Sequence, residues 1–279
     1  MANYSFQYFN VSRPADHVAH VEINRPTKMN AFFEPMWLEL RALFDTLSTD
    51  PSVRAVLLTG AGPRAFTTGL DVQAASQDGP LASSGSKDAA RTATALRRHI
   101  SQFQDCISSV ERCEKPVICI LHGYSFGLAI DLSTCADIRL CTNDTQFAVK
   151  EVDIGLAADI GTLSRLPKAV GSASWVKDVC LSARVFNADE AVKVGLVSAS
   201  FASKEDAVKA GLQTASLIAS KSPVAVQGTK ELLNYSRDHG VEDGLRYTAT
   251  WNGAALQTGD VQAAMLAGMQ KKTPRFEKL

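Results

Sequence analysis

Short strand-like and helix-like patterns alternate along residues 1–201, and this alternation restricts the possible folds more than any other feature of the sequence. Residues 18–23 alternate between apolar and polar side chains, as a half-buried strand does. Residues 54–59 are typical of a buried strand that Gly60 ends. Between these two segments, apolar residues recur at helical spacing: Met36, Trp37, Leu40, Leu43, Phe44 and Leu47. Strands that alternate with helices predict an α/β core with crossover connections.

The same rhythm returns further along the chain. A second helical pattern has an apolar face that comprises Leu96, Ile100, Phe103, Ile107 and Val110. It leads into a predicted strand at residues 116–121, which a glycine-containing turn and another helical stretch follow. The core therefore contains more than one unit in which strands precede a helix.

The pattern changes in the carboxy-terminal part, where no further strand is predicted. Ser203 and Asp206 lie three residues apart and predict a capped helix start, and residues 222–223, Ser-Pro, predict a second one. We therefore expect a core at residues 1–201 and a helical region at residues 202–279. The helical region is too small for us to expect an independent domain, so it packs on the core or on another subunit.

Charge and hydropathy exclude several classes of protein. The chain of 279 residues has 29 basic and 29 acidic side chains, and it has no polybasic tract that would hold the phosphates of a nucleic acid. Its apolar runs are much shorter than the roughly 20 residues that a bilayer span needs. We expect no nucleic-acid partner and no membrane span. The six cysteines show no pair at two-residue spacing, which indicates small buried side chains in a reduced intracellular compartment.

Two glycine-containing turns each follow a predicted strand, at residues 61–71 and at residues 122–131. Small residues let the backbone approach a ligand closely, and the free N–H groups at a helix amino terminus stabilise negative charge. Two such turns can together hold one oxyanion. Residues 73–88 are rich in Ala, Ser and Gly, and they predict either a surface loop that covers a site or a simple insertion.

Acidic side chains stand among small and apolar neighbours in a third segment, residues 147–161. Surface acids seldom have such neighbours. A carboxylate in an apolar pocket has a raised pKa and exchanges protons near neutral pH. The segment therefore predicts acids that are withdrawn from solvent and act in proton transfer. A helix cap or a buried ion pair is the simpler interpretation, and we favour it for Asp153.

Together these segments resemble the crotonase (enoyl-CoA hydratase/isomerase) superfamily. The matching motifs are Asn-Arg-Pro followed by Asn-Ala at residues 24–31, Ala-Phe-x-x-Gly-x-Asp at residues 65–71, a His-Gly turn that leads to Cys-Ala-Asp-Ile-Arg at residues 135–139, and Ala-x-x-x-Gly-Leu-Val at residues 191–197. The resemblance implies an α/β fold: a crotonase (ClpP-like) spiral core of repeated ββα units with a C-terminal helical oligomerisation region. It also implies a trimer or a dimer of trimers.

The acids of the chain are similar to those of one subfamily, the Δ3,5-Δ2,4-dienoyl-CoA isomerases of unsaturated fatty-acid β-oxidation. This resemblance rests on Asp131, Glu151 and Asp159, whereas a hydratase would have glutamate at the first position and glycine at the third. It implies that one proton leaves C2 of an acyl-CoA and another arrives at C6. Glu151 and Asp159 would act as base and acid, and Asp131 would orient or tune Glu151. Positional analogy favours Glu151 near C2 and Asp159 near C6, with the reverse order open, and we expect all three acids to lie out of solvent.

The resemblance also implies a site for the thioester, in which the backbone N–H groups of Leu70 and Leu128 hold the oxygen. The implied substrate-binding residues are Thr68, Gly69, Leu70, Asp71, Val72, Gly127 and Leu128. Many relatives have three glycines at positions 127–129, where this chain has Gly-Leu-Ala, and the sequence leaves open how the larger side chain affects the shape of the pocket. No cofactor and no metal are implied, because coenzyme A is part of the substrate.

Two rival functions remain open. A 2-enoyl-CoA hydratase would add water with Asp131 and Glu151. A catalytically silent acyl-CoA-binding scaffold would keep the amides of Leu70 and Leu128 but would not need Asp159. These rivals differ in their chemistry, so an assay with two substrates separates them.

The first and last residues of the sequence bear on the cellular compartment of the protein. Residues 1–10 lack the pattern of a secretion signal or an organelle presequence. Residues 273–279 are similar to family tails that contribute Phe and Lys to a CoA site, and a frayed terminus is the alternative. The final Lys-Leu resembles the end of a Ser-Lys-Leu peroxisomal signal. We therefore expect the peroxisomal matrix, with the mitochondrial matrix as the alternative.

Overall fold

Two sheets and the helices around them form the computed structural model, which describes residues 4–74 and 88–279. The strands are β1 (Phe9–Ala15), β2 (Val18–Ile23), β3 (Ala55–Gly60), β4 (Ala65–Thr67), β5 (Val117–Leu121), β6 (Tyr124–Phe126), β7 (Ile138–Thr142), β8 (Gln146–Ala148), β9 (Phe186–Asn187) and β10 (Ala199–Phe201). The helices with defined bounds are α1 (Glu34–Thr49), α2 (Ala89–Arg112), α3 (Leu128–Cys135), α4 (Thr162–Ala169), α5 (Ala173–Ser182), α6 (Ala188–Lys193), α7 (Lys204–Ala219), α8 (Pro223–Asp238), α9 (Val241–Ala255) and α10 (Gly259–Met269). Short 3-10 helices cover Pro26–Lys28 and Glu151–Ile154. The loop predicted at residues 73–88 lies, except at its two ends, outside this described part.

Successive strands are shared between the two sheets. The larger sheet has the order β1-β2-β3-β5-β7-β10, and the smaller sheet has the order β4-β6-β8-β9. From β3 onward, one strand enters each sheet before a helix follows, as β3–β4–α2, β5–β6–α3 and β7–β8–α4. In the larger sheet all neighbouring pairs beyond β1–β2 are parallel, as crossover connections require. The predicted α/β spiral of ββα units is thereby confirmed.

The amino-terminal elements follow the sequence pattern closely. β2 covers the predicted strand, and the three residues predicted to share one face, Ala19, Val21 and Ile23, are fully buried. β3 begins one residue later than predicted and includes Gly60, which pairs with Ile23. All six apolar residues predicted for α1 are buried in the main core. Local periodicity was sufficient here because these elements bury one continuous apolar face.

α7 packs on the face of the larger sheet opposite the main core. It begins at the predicted cap, where the Ser203 hydroxyl oxygen accepts a hydrogen bond from the Asp206 N–H at 3.1 Å. A Cβ added to Gly211 would lie 2.8 Å from Cδ1 of Leu57, so this helix approaches the sheet closely. The first helix after β10 is therefore fixed to the core. The division at residue 201 and the assembly role of the later helices stay predictions.

The late helices expose apolar side chains, whereas the cysteines are buried. α8, α9 and α10 expose large apolar side chains, with exposed fractions of 67% for Leu233, 82% for Val241 and 83% for Met269. All six cysteines are buried and none forms a disulfide, as predicted for small hydrophobic side chains.

Within the described residues, no helix is long and apolar enough to cross a bilayer.

Candidate active site

The three segments predicted to carry function lie side by side at one edge of the smaller sheet. β4, β6 and β8 are neighbours and run parallel, so their carboxyl ends meet at the same edge. β4 leads into the turn at residues 68–71, β6 leads through Gly127 into α3, and β8 leads towards the 3-10 helix Glu151–Ile154. The fold thus brings together residues that are far apart in the sequence.

The turn after β4 leaves one backbone N–H free. Phe32 N donates to Gly69 O at 2.8 Å, and Asp71 N donates to Phe32 O at 2.7 Å. In extended backbone the groups of successive residues point to opposite sides, so the N–H of Leu70 faces away from Phe32. This N–H has no acceptor among the described residues. It is therefore available to a ligand oxygen.

The turn after β6 provides a second free N–H beside the first. Gly127 has a φ of +53°, which favours glycine, and its N–H donates to Ala148 O at 2.9 Å. α3 begins at Leu128, whose N–H has no partner within the helix. A Cβ added to Gly69 would lie 3.5 Å from Leu128 N and 3.7 Å from the Cα of Gly127. The two turns thus touch through their glycines, which brings the Leu70 and Leu128 amides close together.

The side chain of Leu128 does not change the shape of this site. It is 4% exposed and belongs to the main core, together with that of Ala129. The first turn of α3 directs these side chains inward while the Leu128 amide stays at the sheet edge. The sequence left open how this larger side chain affects the pocket, and the phase of the helix directs it into the core.

Glu151 stands beside the second turn. A Cβ added to Gly127 would lie 3.4 Å from Oε1 of Glu151. The other oxygen, Oε2, is buried and has no hydrogen-bond partner among the described residues. Burial raises the pKa of Glu151, and the charge of Asp159 adds to this effect. A carboxylate in this condition can take up a proton from a group held at the two amides.

Asp131 lies in the first turn of α3 and is almost fully buried. Its Oδ1 accepts two hydrogen bonds from Thr162, from N–H at 2.6 Å and from the hydroxyl at 2.8 Å. Burial and then the charge of Glu151 raise the pKa of Asp131 to about 7, against the Thr162 bonds and the charge of Arg165. Asp131 is therefore held in place by the protein and interacts electrostatically with Glu151.

Asp159 is exposed to solvent, which corrects the expectation that all three acids are withdrawn. Its apolar neighbours gave that expectation, but Ile154 and Leu156 are exposed themselves, at 56% and 39%. No hydrogen bond compensates its carboxylate among the described residues, so water solvates the charge. Asp159 lies in the wall of a cavity of about 300 Å³, and its charge reaches Glu151.

The implied substrate-binding residues fall into two groups. Thr68, Gly69 and Gly127 form the backbone of the two turns, and Thr68 N donates to Met29 O at 3.2 Å. Asp71 is engaged by the protein instead, since its Oδ2 lies 2.8 Å from Nη1 of Arg25. Val72 is 57% exposed at the far end of the first turn.

Two residues of the site were not predicted. Thr162 holds Asp131, and the Gly-Thr pair at the start of α4 was the available signal, because the first residues of a helix have free N–H groups. Arg25 lies within the motif at residues 24–31, and only its ion pair with Asp71 reveals its role in fixing the first turn.

His122 contacts the backbone of a neighbouring turn and does not face the two amides of Leu70 and Leu128 through its bonded nitrogen. Nε2 of His122 lies 2.9 Å from Gly62 O, and burial together with the charge of Lys204 lowers the pKa of His122 to about 4. This histidine is part of the turn structure, as expected. Across residues 4–74 and 88–279 no group of three or more His, Cys, Asp and Glu side chains could hold a metal ion.

The sequence also has relatives of known name. A mouse (Mus musculus) protein named Delta(3,5)-Delta(2,4)-dienoyl-CoA isomerase, mitochondrial, is 44% identical over 282 residues, which cover 100% of this chain and 85% of that protein. An Arabidopsis thaliana protein named Delta(3,5)-Delta(2,4)-dienoyl-CoA isomerase, peroxisomal, is 42% identical over 262 residues, which cover 94% of this chain and 93% of that protein.

A solved structure and a family model match this chain over nearly its whole length. A solved structure of enoyl-CoA hydratase from Bacillus anthracis has a TM-score of 0.87 at 24% identity and covers 97% of this chain and 99% of that chain, which is a likeness of fold. Residues 13–278 match the family described as Enoyl-CoA hydratase/isomerase. The chain therefore belongs to the enoyl-CoA hydratase/isomerase family.

Proposed function

We propose that this chain is a Δ3,5-Δ2,4-dienoyl-CoA isomerase that acts on an acyl-CoA in unsaturated fatty-acid β-oxidation. The observation that carries the proposal is the buried, unpartnered Oε2 of Glu151 beside the turn that exposes the Leu128 amide. Asp159 supplies a second carboxylate near Glu151. Relatives that share 42–44% of their residues with this chain bear the isomerase name.

The reaction moves two conjugated double bonds and leaves the number of protons unchanged. The thioester oxygen accepts hydrogen bonds from the N–H groups of Leu70 and Leu128. Glu151 takes the proton from C2, and the electron pair of that C–H bond enters a dienolate whose negative charge the two amides stabilise. Asp159 takes up a proton from the solvent that surrounds it and donates this proton to C6, so that the double bonds at C3 and C5 become double bonds at C2 and C4. Glu151 then releases its own proton to solvent, which restores both acids.

Asp131 supports this step without touching the substrate. Its carboxylate is fixed by Thr162 and is close enough to Glu151 for the two charges to interact. When Asp131 is ionised, above its pKa of about 7, its negative charge makes Glu151 a stronger base, because it disfavours a second negative charge nearby. Coenzyme A is part of the substrate in this scheme, and the proton transfers require no further cofactor.

Assembly and location complete the proposal. The apolar side chains exposed on α8, α9 and α10 favour self-association, as a trimer or a dimer of trimers. Sedimentation equilibrium tests this, and a monomer at micromolar concentration would contradict it. The Lys-Leu ending favours the peroxisomal matrix, whereas the mouse relative is named mitochondrial. Imaging of an amino-terminally tagged chain with and without its last three residues distinguishes the two.

Two substrates test the activity. The purified chain is given a 3,5-dienoyl-CoA and, separately, a 2-enoyl-CoA, and ultraviolet absorbance follows the conjugated 2,4-dienoyl thioester and the enoyl thioester. We expect the first to form and the second to persist. Hydration of the 2-enoyl-CoA without isomerisation would identify a hydratase, and inactivity towards both would identify an acyl-CoA-binding scaffold.

Deuterium oxide tests the division between the two acids. In the Asp159→Asn variant, Glu151 still removes the C2 proton, so deuterium enters C2 of the substrate although little product forms. In the Glu151→Gln variant both processes stop. The reverse pattern would assign Asp159 to C2 and Glu151 to C6.

A further inference from the structure

One face of α2 contacts the segment that carries Asp159. Gln104, Ser108 and Glu111 follow each other at spacings of four and three residues, which places them on the same side of the helix. Nε2 of Gln104 donates to the backbone oxygen of Asp159 at 2.5 Å. Nη2 of Arg165 donates to the hydroxyl oxygen of Ser108 at 2.9 Å. Residues 159–165 are thus tied to α2 at both ends.

The Arg165–Glu111 ion pair is the stronger of these ties. Nε and Nη2 of Arg165 lie 3.1 and 2.8 Å from Oε2 of Glu111, and the two side chains are 13% and 15% exposed. Burial opposes both charges, but the hydrogen bonds between them raise the pKa of Arg165 and hold the pKa of Glu111 below its usual value. Arg237 of α8 also pairs with Glu111. Charged hydrogen bonds that are shielded from water give a fixed geometry.

Arg165 also covers the backbone next to Asp159. A Cβ added to Gly161 would clash with Nη1 of Arg165, so the guanidinium group lies directly against this glycine. Gly161 is two residues from Asp159, whose own carboxylate is exposed and has no hydrogen-bond partner among the described residues. The position of that carboxylate therefore depends on how its backbone is held.

We infer that Arg165 is a positioning residue for the second proton transfer: by tying residues 159–161 to α2, it sets the distance between the carboxylates of Asp159 and Glu151. The inference rests on the proposed isomerase function. It assigns a role in the reaction to a side chain that does not touch the substrate.

The chemistry gives this role a specific signature. Removal of the C2 proton needs Glu151 and the two amides. Arg165 contacts none of these groups, and its charge acts on Glu151 only indirectly, through Asp131. Delivery of a proton to C6 needs Asp159 at the correct place. When the segment is loose, the dienolate still forms but returns its proton to C2 more often than it gains one at C6. The ratio of C2 exchange to isomerisation then rises.

The test measures both processes in deuterium oxide with a 3,5-dienoyl-CoA. Absorbance gives the rate of isomerisation, and mass spectrometry of unreacted substrate gives deuterium at C2. We expect Arg165→Met to lower kcat for isomerisation by about 10- to 100-fold, since misplacement by about 1 Å has effects of this size. KM stays near the wild-type value, and the exchange ratio changes in the same direction as in Asp159→Asn.

Lys177→Met is the matched control. Lys177 lies on α5, is exposed and does not line the cavity that contains Asp159. The substitution removes the same charge without releasing the segment from α2. Wild-type kcat and a wild-type exchange ratio are expected.

Gln104→Leu tests the same inference through the other contact between α2 and this segment, the hydrogen bond from Gln104 to the Asp159 backbone. It removes the bond to the Asp159 backbone, and Gln104 is only half-buried, so we expect the variant to fold even where Arg165→Met does not. If Arg165→Met folds and its ratio of C2 exchange to isomerisation equals that of the wild type, the inference is overturned. If Arg165→Met is insoluble, a wild-type ratio in Gln104→Leu overturns the inference instead. A wild-type protein that does not isomerise the substrate defeats the proposed function instead.

Discussion

Glu151 and Asp131 are two carboxylates of one site with opposite surroundings. The pKa of each is raised, and burial is the main cause for both. Oδ1 of Asp131 accepts two hydrogen bonds from Thr162, whereas Oε2 of Glu151 has no partner among the described residues. Burial therefore does not separate their roles. The hydrogen bonds do, because a satisfied carboxylate is fixed and an unsatisfied one remains free to bind a proton.

The two acids are also coupled through their charges. The negative charge of Glu151 contributes to the raised pKa of Asp131. A pair of this kind titrates as a unit, so a change at one acid alters the other. Substitutions that act on only one of them are the means to test whether one acid transfers the proton while the other supports it.

Replacement of each acid by its amide gives the largest expected difference. Glu151→Gln keeps the shape of the side chain but cannot take a proton, so we expect kcat for isomerisation to fall by about 10³-fold. Asp131→Asn keeps an oxygen that accepts the Thr162 bonds, and we expect a fall of only about 10-fold. Steady-state kinetics with a 3,5-dienoyl-CoA measure both values, and calorimetry checks that the thioester still binds. Equal losses would contradict the division between the two acids.

A methyl group added at residue 127 would contact Glu151 but not Asp131. In Gly127→Ala the new Cβ lies 3.4 Å from Oε1 of Glu151, and φ of +53° strains the turn that presents the Leu128 amide. We expect kcat to fall by about 10²-fold, the effect of losing one oxyanion donor. The measurement is the same kinetic assay.

Gly195→Ala is the control for this substitution. Gly195 also has a positive φ, of +81°, but a Cβ there meets nothing within 4 Å among the described residues. It pays a similar backbone strain without approaching the site, so kcat stays near the wild-type value. If both variants lose the same activity, strain in the backbone rather than crowding of Glu151 explains the effect.

The sequence predicts those parts of the fold that depend on local periodicity. α1 and β2 each bury one face, and their apolar spacing identified them. The closeness of Glu151 to the Leu128 amide could be inferred only from a family resemblance, because it depends on the pairing of β6 with β8. The partner of Asp131 was missed because Thr162 is 31 residues away in the sequence.

Exposure of single residues was the least predictable property. Apolar neighbours indicated burial of Asp159, yet Ile154 and Leu156 lie on the surface with it. The sequence did not place the side chain of Leu128, which lies in the core, since its direction depends on the residue at which α3 begins. Periodicity identifies the buried face of a long helix, but it does not fix orientation in a loop or in the first turn of a short helix.

The pH dependence of the free energy of unfolding gives the smallest expected effect, and it tests the coupling between Asp131 and Glu151 directly. With a folded-state pKa of about 7 against an ordinary value of 3.8, Asp131 is protonated in the folded protein at pH values where the unfolded chain is ionised. Asp131 therefore contributes its full stability below the unfolded value and loses it as pH rises, by about 2 kcal/mol between roughly pH 5.5 and pH 7.5. Asn at this position does not titrate. Urea unfolding at the two pH values should show Asp131→Asn gaining stability relative to wild type as pH rises.

The same measurement in a Glu151→Gln background separates the two causes of the shift. Loss of the neighbouring negative charge lowers the pKa of Asp131, so the gain from Asp131→Asn between the two pH values becomes smaller than in the wild-type background. A gain of equal size in both backgrounds would mean that burial alone raises the pKa and that the acids are not coupled. A gain that does not depend on pH at all would mean that Asp131 is already ionised in the folded protein, and the contrast with Glu151 would then rest on hydrogen bonds only.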